Sequence, residues 1–83
     1  MIYAGIDVAK DKHDCFITNS DGELLFKSFT IPNNREGFET LFQKIQSVSD
    51  DLTKVKVGLE ATGHYSYNLL GFLLDKGLPT YVI

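Results

Sequence analysis

Two stretches decide the fold: AGIDVAKDKHDCF, residues 4–16, and VKVGLEATGHY, residues 55–65. Each begins as an apolar run, passes through a glycine, and reaches a carboxylate two residues later, Asp7 in the first and Glu60 in the second. Because side chains alternate along a strand, the glycine and the carboxylate of each stretch share one face. The two stretches therefore predict two strands that carry acidic residues toward their carboxyl ends.

Alternating apolar residues and turn signals predict five strands. Asp21 and Gly22 tolerate the positive φ of a tight hairpin, so we expect the first three strands to form an antiparallel meander. A strand that follows a helical crossover normally lies parallel to an earlier neighbour, which places the fourth strand beside the first. The predicted strands are Ile2–Val8, His13–Asn19, Glu23–Ile31, Val55–Glu60 and Thr80–Ile83.

Two segments with a period of 3.6 residues predict helices between these strands. The first helix is expected after Pro32, where Asn33 and Glu36 resemble a capping box. The second helix is expected to end at Gly77, since Pro79 prevents its continuation. The apolar residues at helical spacing are Phe38, Leu41, Phe42 and Ile45 in the first, and Tyr65, Leu69, Phe72 and Leu73 in the second. The predicted order is β-β-β-α-β-α-β, an α/β fold with a mixed sheet.

Composition limits the classes of protein that fit. A chain of 83 residues forms one domain. The net charge of −3 argues against a freestanding nucleic-acid clamp, but it does not exclude contact with phosphates through metal ions. No apolar run approaches the ~20 residues that span a bilayer, so a cytoplasmic protein is predicted. The terminal LPTYVI reads as an unprotected apolar strand, which predicts a fragment of a longer protein.

The two carboxylates predict a site for a divalent cation. If their strands are parallel neighbours, Asp7 and Glu60 lie at the carboxyl end of the sheet, where open α/β sheets place their sites. Two ionised carboxylates ~4 Å apart repel by about 4 kcal/mol at an effective dielectric of 20. A shared proton or Mg²⁺ relieves that repulsion, and the preceding glycines would leave space below each carboxylate. The open alternative is that each is a solvated strand-end residue or a helix cap.

GIDVAKDKHDCFITNSDG, residues 5–22, and GLEATGHYSYNLLGFLLDKGLPTYVI, residues 58–83, resemble the amino-terminal part of the IS110-family transposases, which are related to the Piv-type DNA invertases. The resemblance covers essentially the whole chain. It implies a ribonuclease-H-like (RuvC-like) fold, truncated after the fifth strand. Residues 1–83 would then be the amino-terminal, incomplete part of a catalytic domain.

The same resemblance implies an activity. Family members carry a D-E-D-D tetrad that binds Mg²⁺ or Mn²⁺ and acts in DNA strand cleavage and exchange; Asp7 matches its first Asp and Glu60 its Glu. The later two aspartates and a serine-bearing carboxy-terminal domain have no counterpart here, so the fragment alone is expected to be inactive. The implied partners are DNA, a structured non-coding guide RNA, and further copies of the full-length protein.

Residues beside the two carboxylates are candidates for nucleic-acid contact. Lys10 and Lys12 follow Asp7 in a turn and could meet a phosphate, or they are simply solvated. Thr62 and His64 lie where a helix begins and exposed N–H groups favour anions, although Thr62 could instead cap the helix.

Three other residues receive structural interpretations. Cys15 is expected to be a buried strand residue. Asp11 and Asp14 are expected to be turn and edge charges.

Two alternative functions stay open. An actin-like or sugar-kinase-like ATPase lobe also begins with a strand that ends in Asp and a hairpin closed by Asp-Gly. Its turn usually offers small residues whose amides cradle phosphate, whereas VAKDKHD, residues 8–14, is bulky and charged, and Glu60 would have no role there. The other alternative is a non-catalytic module with a ribonuclease-H-like fold.

Overall fold

The computed structural model describes residues 1–61 and 65–83 of the chain. Its strands and helices follow the predicted order, with one additional turn of 3₁₀-helix before the fourth strand. The elements are β1 (Ile2–Val8), β2 (Lys12–Asn19), β3 (Leu24–Pro32), α1 (Arg35–Val48), the 3₁₀ turn (Leu52–Lys54), β4 (Val55–Ala61), α2 (Tyr67–Asp75) and β5 (Thr80–Val82). Every strand boundary agrees with the sequence-based prediction to within one residue.

The five strands form one mixed sheet in the order β3-β2-β1-β4-β5. β1 lies at the centre, antiparallel to β2 and parallel to β4. β2 also pairs with β3 in antiparallel fashion, and β4 pairs with β5 in parallel fashion. The predicted meander and the predicted parallel pairing of the first and fourth strands are both confirmed.

The hydrophobic core lies between one face of this sheet and the two helices. The strands supply alternate residues to that face, as the burial of Ala4, Ile6 and Val8 in β1 shows. The other buried apolar residues are Cys15, Ile17, Ile31, Phe38, Leu41, Ile45, Val55, Val57, Leu59, Leu69, Leu73 and Leu78. The opposite face of the sheet, here called the open face, carries aromatic side chains that stay exposed: Tyr3 at 40%, Phe16 at 46% and Tyr81 at 55%.

The start of α1 differs from the predicted capping box. Asn34, and not Asn33, is the N-cap, and its Oδ1 accepts a hydrogen bond from the Gly37 N–H at 2.9 Å. Asn33 is engaged elsewhere: its backbone N–H donates to the Asp11 carbonyl, and its side-chain amide donates to the Lys10 carbonyl. The helix therefore begins one residue later, because the preceding asparagine ties β3 to the turn between β1 and β2.

The end of α2 confirms the predicted glycine stop. Gly77 has φ +78°, and the Leu78 N–H donates to the Leu73 carbonyl at 3.1 Å, which is the 6→1 bond of a Schellman motif. α2 begins later than predicted: it starts at Tyr67, so Tyr65 lies before the helix.

Both helices are short. α1 has 14 residues and α2 has nine, against the about 20 apolar residues that cross a bilayer. Among the residues that the structure describes, no helix is long and apolar enough to span a membrane.

Neighbouring leucines on α2 test the position of the core. Leu73 is fully buried and Leu74 is 54% exposed, although both belong to the same helix. We expect Leu73→Ala to lower the free energy of unfolding by roughly 2–5 kcal/mol, through lost burial and a residual cavity. Leu74→Ala should change it by no more than about 0.5 kcal/mol. Urea denaturation followed by circular dichroism measures both, and similar losses in the two variants would contradict the assigned core.

Candidate functional site

Asp7 and Glu60 are direct neighbours across the β1–β4 pair. The register runs without a shift from Ile2 opposite Val55, and it places Asp7 opposite Glu60. Paired strands lie about 4.7–4.9 Å apart, so the two backbones hold these residues at neighbouring positions near the carboxyl ends of both strands. Both residues are exposed, and alternation places both on the open face.

Solvent exposure reduces the cost of this arrangement. In water, two unit charges ~4 Å apart repel by only about 1 kcal/mol, well below the value for a protein-like dielectric. No ion pair to Asp7 or Glu60 occurs among residues 1–61 and 65–83, where Arg35 with Glu39 forms the one salt bridge. The case for a cation therefore rests on the chemistry of the donors and not on an energetic penalty.

Asp14 is a third carboxylate at this position, and the expectation of an edge charge is wrong. β2 is an inner strand, and its antiparallel register with β1 places Asp14 directly opposite Asp7. Asp14 is also opposite Thr30 on β3, whose Oγ1–H donates to the Asp14 Oδ1 at 2.9 Å. The sequence contained a signal for this position. Residues at equal distances from the centre of a hairpin lie opposite each other, and Asp7 and Asp14 are equally far from the predicted turn at 9–12.

One cavity joins the three carboxylates to the apolar part of the open face. Its volume is about 260 Å³. The residues that line it are Gly5, Ile6, Asp7, Asp14, Cys15, Phe16, Ser28, Gly58, Glu60 and Ile83. Acidic groups and an aromatic ring therefore share a single concave surface.

The expected space below the carboxylates is wrong for Gly5 but not for Gly58, where a Cβ would fit. A Cβ at Gly5 would collide with the Phe16 ring, which lies across β1 at that position. A Cβ at Gly58 would lie 3.5 Å from Ile83 Cδ1, an ordinary contact distance. Gly5 therefore allows an aromatic side chain to approach the strand.

The donor set suits a hard divalent cation but is incomplete. Carboxylate oxygens are the ligands that Mg²⁺ prefers, and it is commonly held by one or two carboxylates together with waters and phosphate oxygens. Asp7 and Glu60 supply two such groups at neighbouring positions. In the described part of the chain, no group of three or more His, Cys, Asp or Glu side chains is arranged to hold a metal ion. The residues present thus fit Mg²⁺ or Mn²⁺ as a partial site.

The four predicted nucleic-acid contacts fall into two groups. Lys10 and Lys12 are exposed, the first in the turn after β1 and the second at the start of β2, and neither lines the cavity. Thr62 and His64 lie outside the described residues.

His13 organises the turn beside Asp7, a role that the sequence did not reveal. Its side chain is fully buried and stacks on Phe38, with ring centroids 6.3 Å apart. Its Nδ1 accepts the Ala9 N–H at 3.2 Å. A core side chain thereby holds the backbone two residues after Asp7.

Cys15 is buried, as predicted, with 1% of its surface exposed. Burial, and secondarily the negative charge of Asp14, raises the pKa of the Cys15 thiol from its ordinary 9.0 to about 12. The thiol is therefore protonated at neutral pH, which disfavours a nucleophilic role.

The raised pKa of Cys15 predicts a pH-dependent loss of stability. The folded state keeps the thiol proton up to about pH 12, whereas the unfolded chain loses it near 9.0, so the contribution is complete below 9.0 and declines as pH rises through this window. The melting temperature, measured at intervals from about pH 8 to 10.5, should fall more steeply for the unaltered chain than for Cys15→Ala. Parallel curves would show that the thiol ionises alike in both states.

Comparison with known proteins adds a family and a fold. The family model for DEDD-type IS110 elements, described as a transposase, matches residues 4–83. No curated protein matches the chain in sequence.

Solved structures share its architecture at low sequence identity. A Bacteroides thetaiotaomicron protein with an actin-like ATPase fold and unknown function superposes with a TM-score of 0.77 at 15% identity, over 99% of this chain and 32% of its own. RuvC from T. thermophilus, in complex with a Holliday junction substrate, superposes with a TM-score of 0.60 at 14% identity, over 100% of this chain and 64% of its own. A second structure of Thermus thermophilus RuvC gives 0.54 at 17% identity, over 100% and 63%. The fold is therefore RuvC-like, that is ribonuclease-H-like, and the chain spans less than two thirds of each of these structures.

Proposed function

The chain belongs to the DEDD-type IS110 transposase family, and on that premise we propose that it is the amino-terminal part of a RuvC-like catalytic domain that cleaves and exchanges DNA strands. In this proposal Asp7 and Glu60 are the first two acidic residues of a D-E-D-D tetrad that binds Mg²⁺ or Mn²⁺. The observation that carries the proposal is their placement opposite each other across the parallel β1–β4 pair.

The chain's own residues would act by holding charge at an accessible position. Asp7 and Glu60 are exposed at the carboxyl ends of their strands, so a phosphodiester can reach them without rearrangement of the core. A divalent cation bound there supplies positive charge that stabilises the attacking and leaving oxygens of a phosphodiester. Lys10, in the turn after β1, and Lys12, at the start of β2, would neutralise flanking phosphates, and Thr62 and His64 would also contact the nucleic acid.

The chain alone should lack catalytic activity. It offers only Asp7 and Glu60 of the proposed tetrad, and it spans 63–64% of the two RuvC chains. Two further aspartates, supplied by a longer polypeptide, would complete the site.

The remaining partners follow from the same proposal. DNA is the substrate, and with a net charge of −3 the chain would approach it mainly through bound cations. A structured non-coding RNA would guide target choice, the full-length protein would form a homo-oligomer, and the reaction would take place in the cytoplasm.

The actin-like likeness keeps an ATPase lobe as the second candidate, but the turn after β1 does not support it. Such a lobe needs backbone N–H groups of this turn free to bind phosphate. Here the Ala9 N–H is donated to His13. Among residues 1–61 and 65–83, positive φ occurs only at Gly22 and Gly77, so the 9–11 turn lacks the left-handed residue of an anion-binding nest.

Metal binding tests the proposed function directly. Asp7→Asn and Glu60→Gln should each weaken Mn²⁺ binding by roughly ten- to thirtyfold, since each removes one unit of charge next to the ion. Isothermal titration or electron paramagnetic resonance of Mn²⁺ measures the affinity. Asp21→Asn is the matched control, because it makes the same charge change in the turn between β2 and β3.

Two results would contradict the proposal. One is Mn²⁺ affinity that stays the same in both site variants, which would favour the non-catalytic module. The other is tight ATP binding that persists in Glu60→Gln, which would favour the ATPase lobe. In the complete transposase, either site variant should abolish DNA strand cleavage, while Asp21→Asn should retain it.

A further inference from the structure

We propose that Asp14 is a positioning residue for the cation: its charge, held in place by Thr30, strengthens the binding of a divalent ion at Asp7 and Glu60. This inference rests on the proposed function, because it concerns the same cation. It assigns a role to a residue that lies outside the two carboxylates matched to the tetrad.

The register places four polar side chains in one row across the sheet. Thr30 on β3 is opposite Asp14 on β2, Asp14 is opposite Asp7 on β1, and Asp7 is opposite Glu60 on β4. Directly opposite side chains on paired strands have Cβ atoms about 4.5–5.5 Å apart. Asp14 therefore lies beside Asp7 on the side away from Glu60, and all three carboxylates line the same cavity.

Thr30 restrains the Asp14 carboxylate. The Thr30 Oγ1–H donates to Asp14 Oδ1 at 2.9 Å, which occupies one oxygen of the carboxylate. The hydroxyl bonds to the charged group without neutralising it, so the unit charge of Asp14 stays beside Asp7. A fixed charge costs less ordering entropy at the moment of cation binding than a mobile one.

Asp14 acts on the cation through space or through a water molecule and not as a third ligand. In the described part of the chain, three acidic side chains are nowhere arranged around one point as metal ligands. Like charges on directly opposite strand positions destabilise a sheet, and Asp7 with Asp14 is such a pair. A cation bound at Asp7 attracts the Asp14 charge. The Asp14 charge should therefore raise the affinity for the metal and lower the stability of the metal-free chain.

Asp14→Asn separates charge from shape. Asparagine keeps an oxygen that can accept the Thr30 hydrogen bond, and it removes only the charge. We expect Mn²⁺ affinity to fall roughly three- to tenfold, as the Coulomb energy of a unit charge near a divalent ion in a water-like dielectric requires. We also expect the melting temperature of the metal-free chain to rise by about 2–6 °C, because a repulsive pair is removed. A residue with only a structural role would lower stability and leave affinity unchanged.

Thr30→Val tests the restraint without changing the charge. It removes the hydroxyl, so Mn²⁺ affinity should fall less than in Asp14→Asn. Raising NaCl from about 0.05 to 0.5 M should reduce the difference in Mn²⁺ affinity between the unaltered chain and Asp14→Asn, because salt screens exposed charges. Asp21→Asn again controls for net charge and should match the unaltered chain.

The outcomes distinguish this inference from the proposed function. If Asp7→Asn weakens Mn²⁺ binding and Asp14→Asn does not, the role of Asp14 is wrong and the proposed function stands. If neither variant changes Mn²⁺ affinity, both fail. A loss of affinity in Asp14→Asn that is insensitive to salt would overturn an electrostatic role, and an unchanged Thr30→Val would overturn the restraint.

Discussion

The parallel register between β1 and β4 is the constraint on which the site depends. The two strands are separated by more than forty residues, yet they pair position by position from Ile2 opposite Val55. Because side chains alternate, a slip of one residue would turn Leu59 to the open face and Glu60 into the core. Val55, Val57 and Leu59 are fully buried, so such a slip would expose the residues that stabilise the domain. Packing on one face of the sheet therefore determines which carboxylates meet on the other.

That division of the sheet explains why polar groups collect where they do. The core face holds the buried apolar residues of the strands, packed against both helices, while the open face carries Asp7, Asp14 and Glu60 with exposed aromatic residues. Charged groups on the open face keep their hydration, so their mutual repulsion costs little. A small domain can tolerate a row of like charges on such a face, whereas the same row in the core would leave uncompensated charge and unfold it.

Much of the fold could be predicted from the sequence because its signals are local. Alternation located the strands, the Asp21-Gly22 turn located a hairpin, and Gly77 located the end of α2. The cap of α1 was misplaced because Asn33 bonds to the turn between β1 and β2, a contact between distant parts of the chain.

The site shows the same limit. The pairing of Asp7 with Glu60 was predicted from strand ends, but Asp14 was assigned to an edge, because recognising its position requires both the hairpin register and the strand order. The position of the Phe16 ring over Gly5 is likewise set by side-chain packing, on which the spacing of residues carries no information. Local patterns thus identify elements, while neighbours across strands depend on the assembled sheet.

Similar folds do not imply similar chemistry here, and the turn after β1 shows why. The chain superposes on a protein with an actin-like ATPase fold and on RuvC, and at 14–17% identity both likenesses describe the path of the backbone. What distinguishes a phosphate-binding turn is a set of free N–H groups, and the buried His13 side chain engages the Ala9 N–H. Freeing that group would leave the buried His13 Nδ1 without its donor. Among the described residues His13 Nε2 already has no hydrogen-bond partner, so both ring nitrogens would then be buried and unpartnered. The buried His13 side chain therefore keeps one N–H of this turn from a phosphate, while Asp7, Asp14 and Glu60 lie exposed beside the turn.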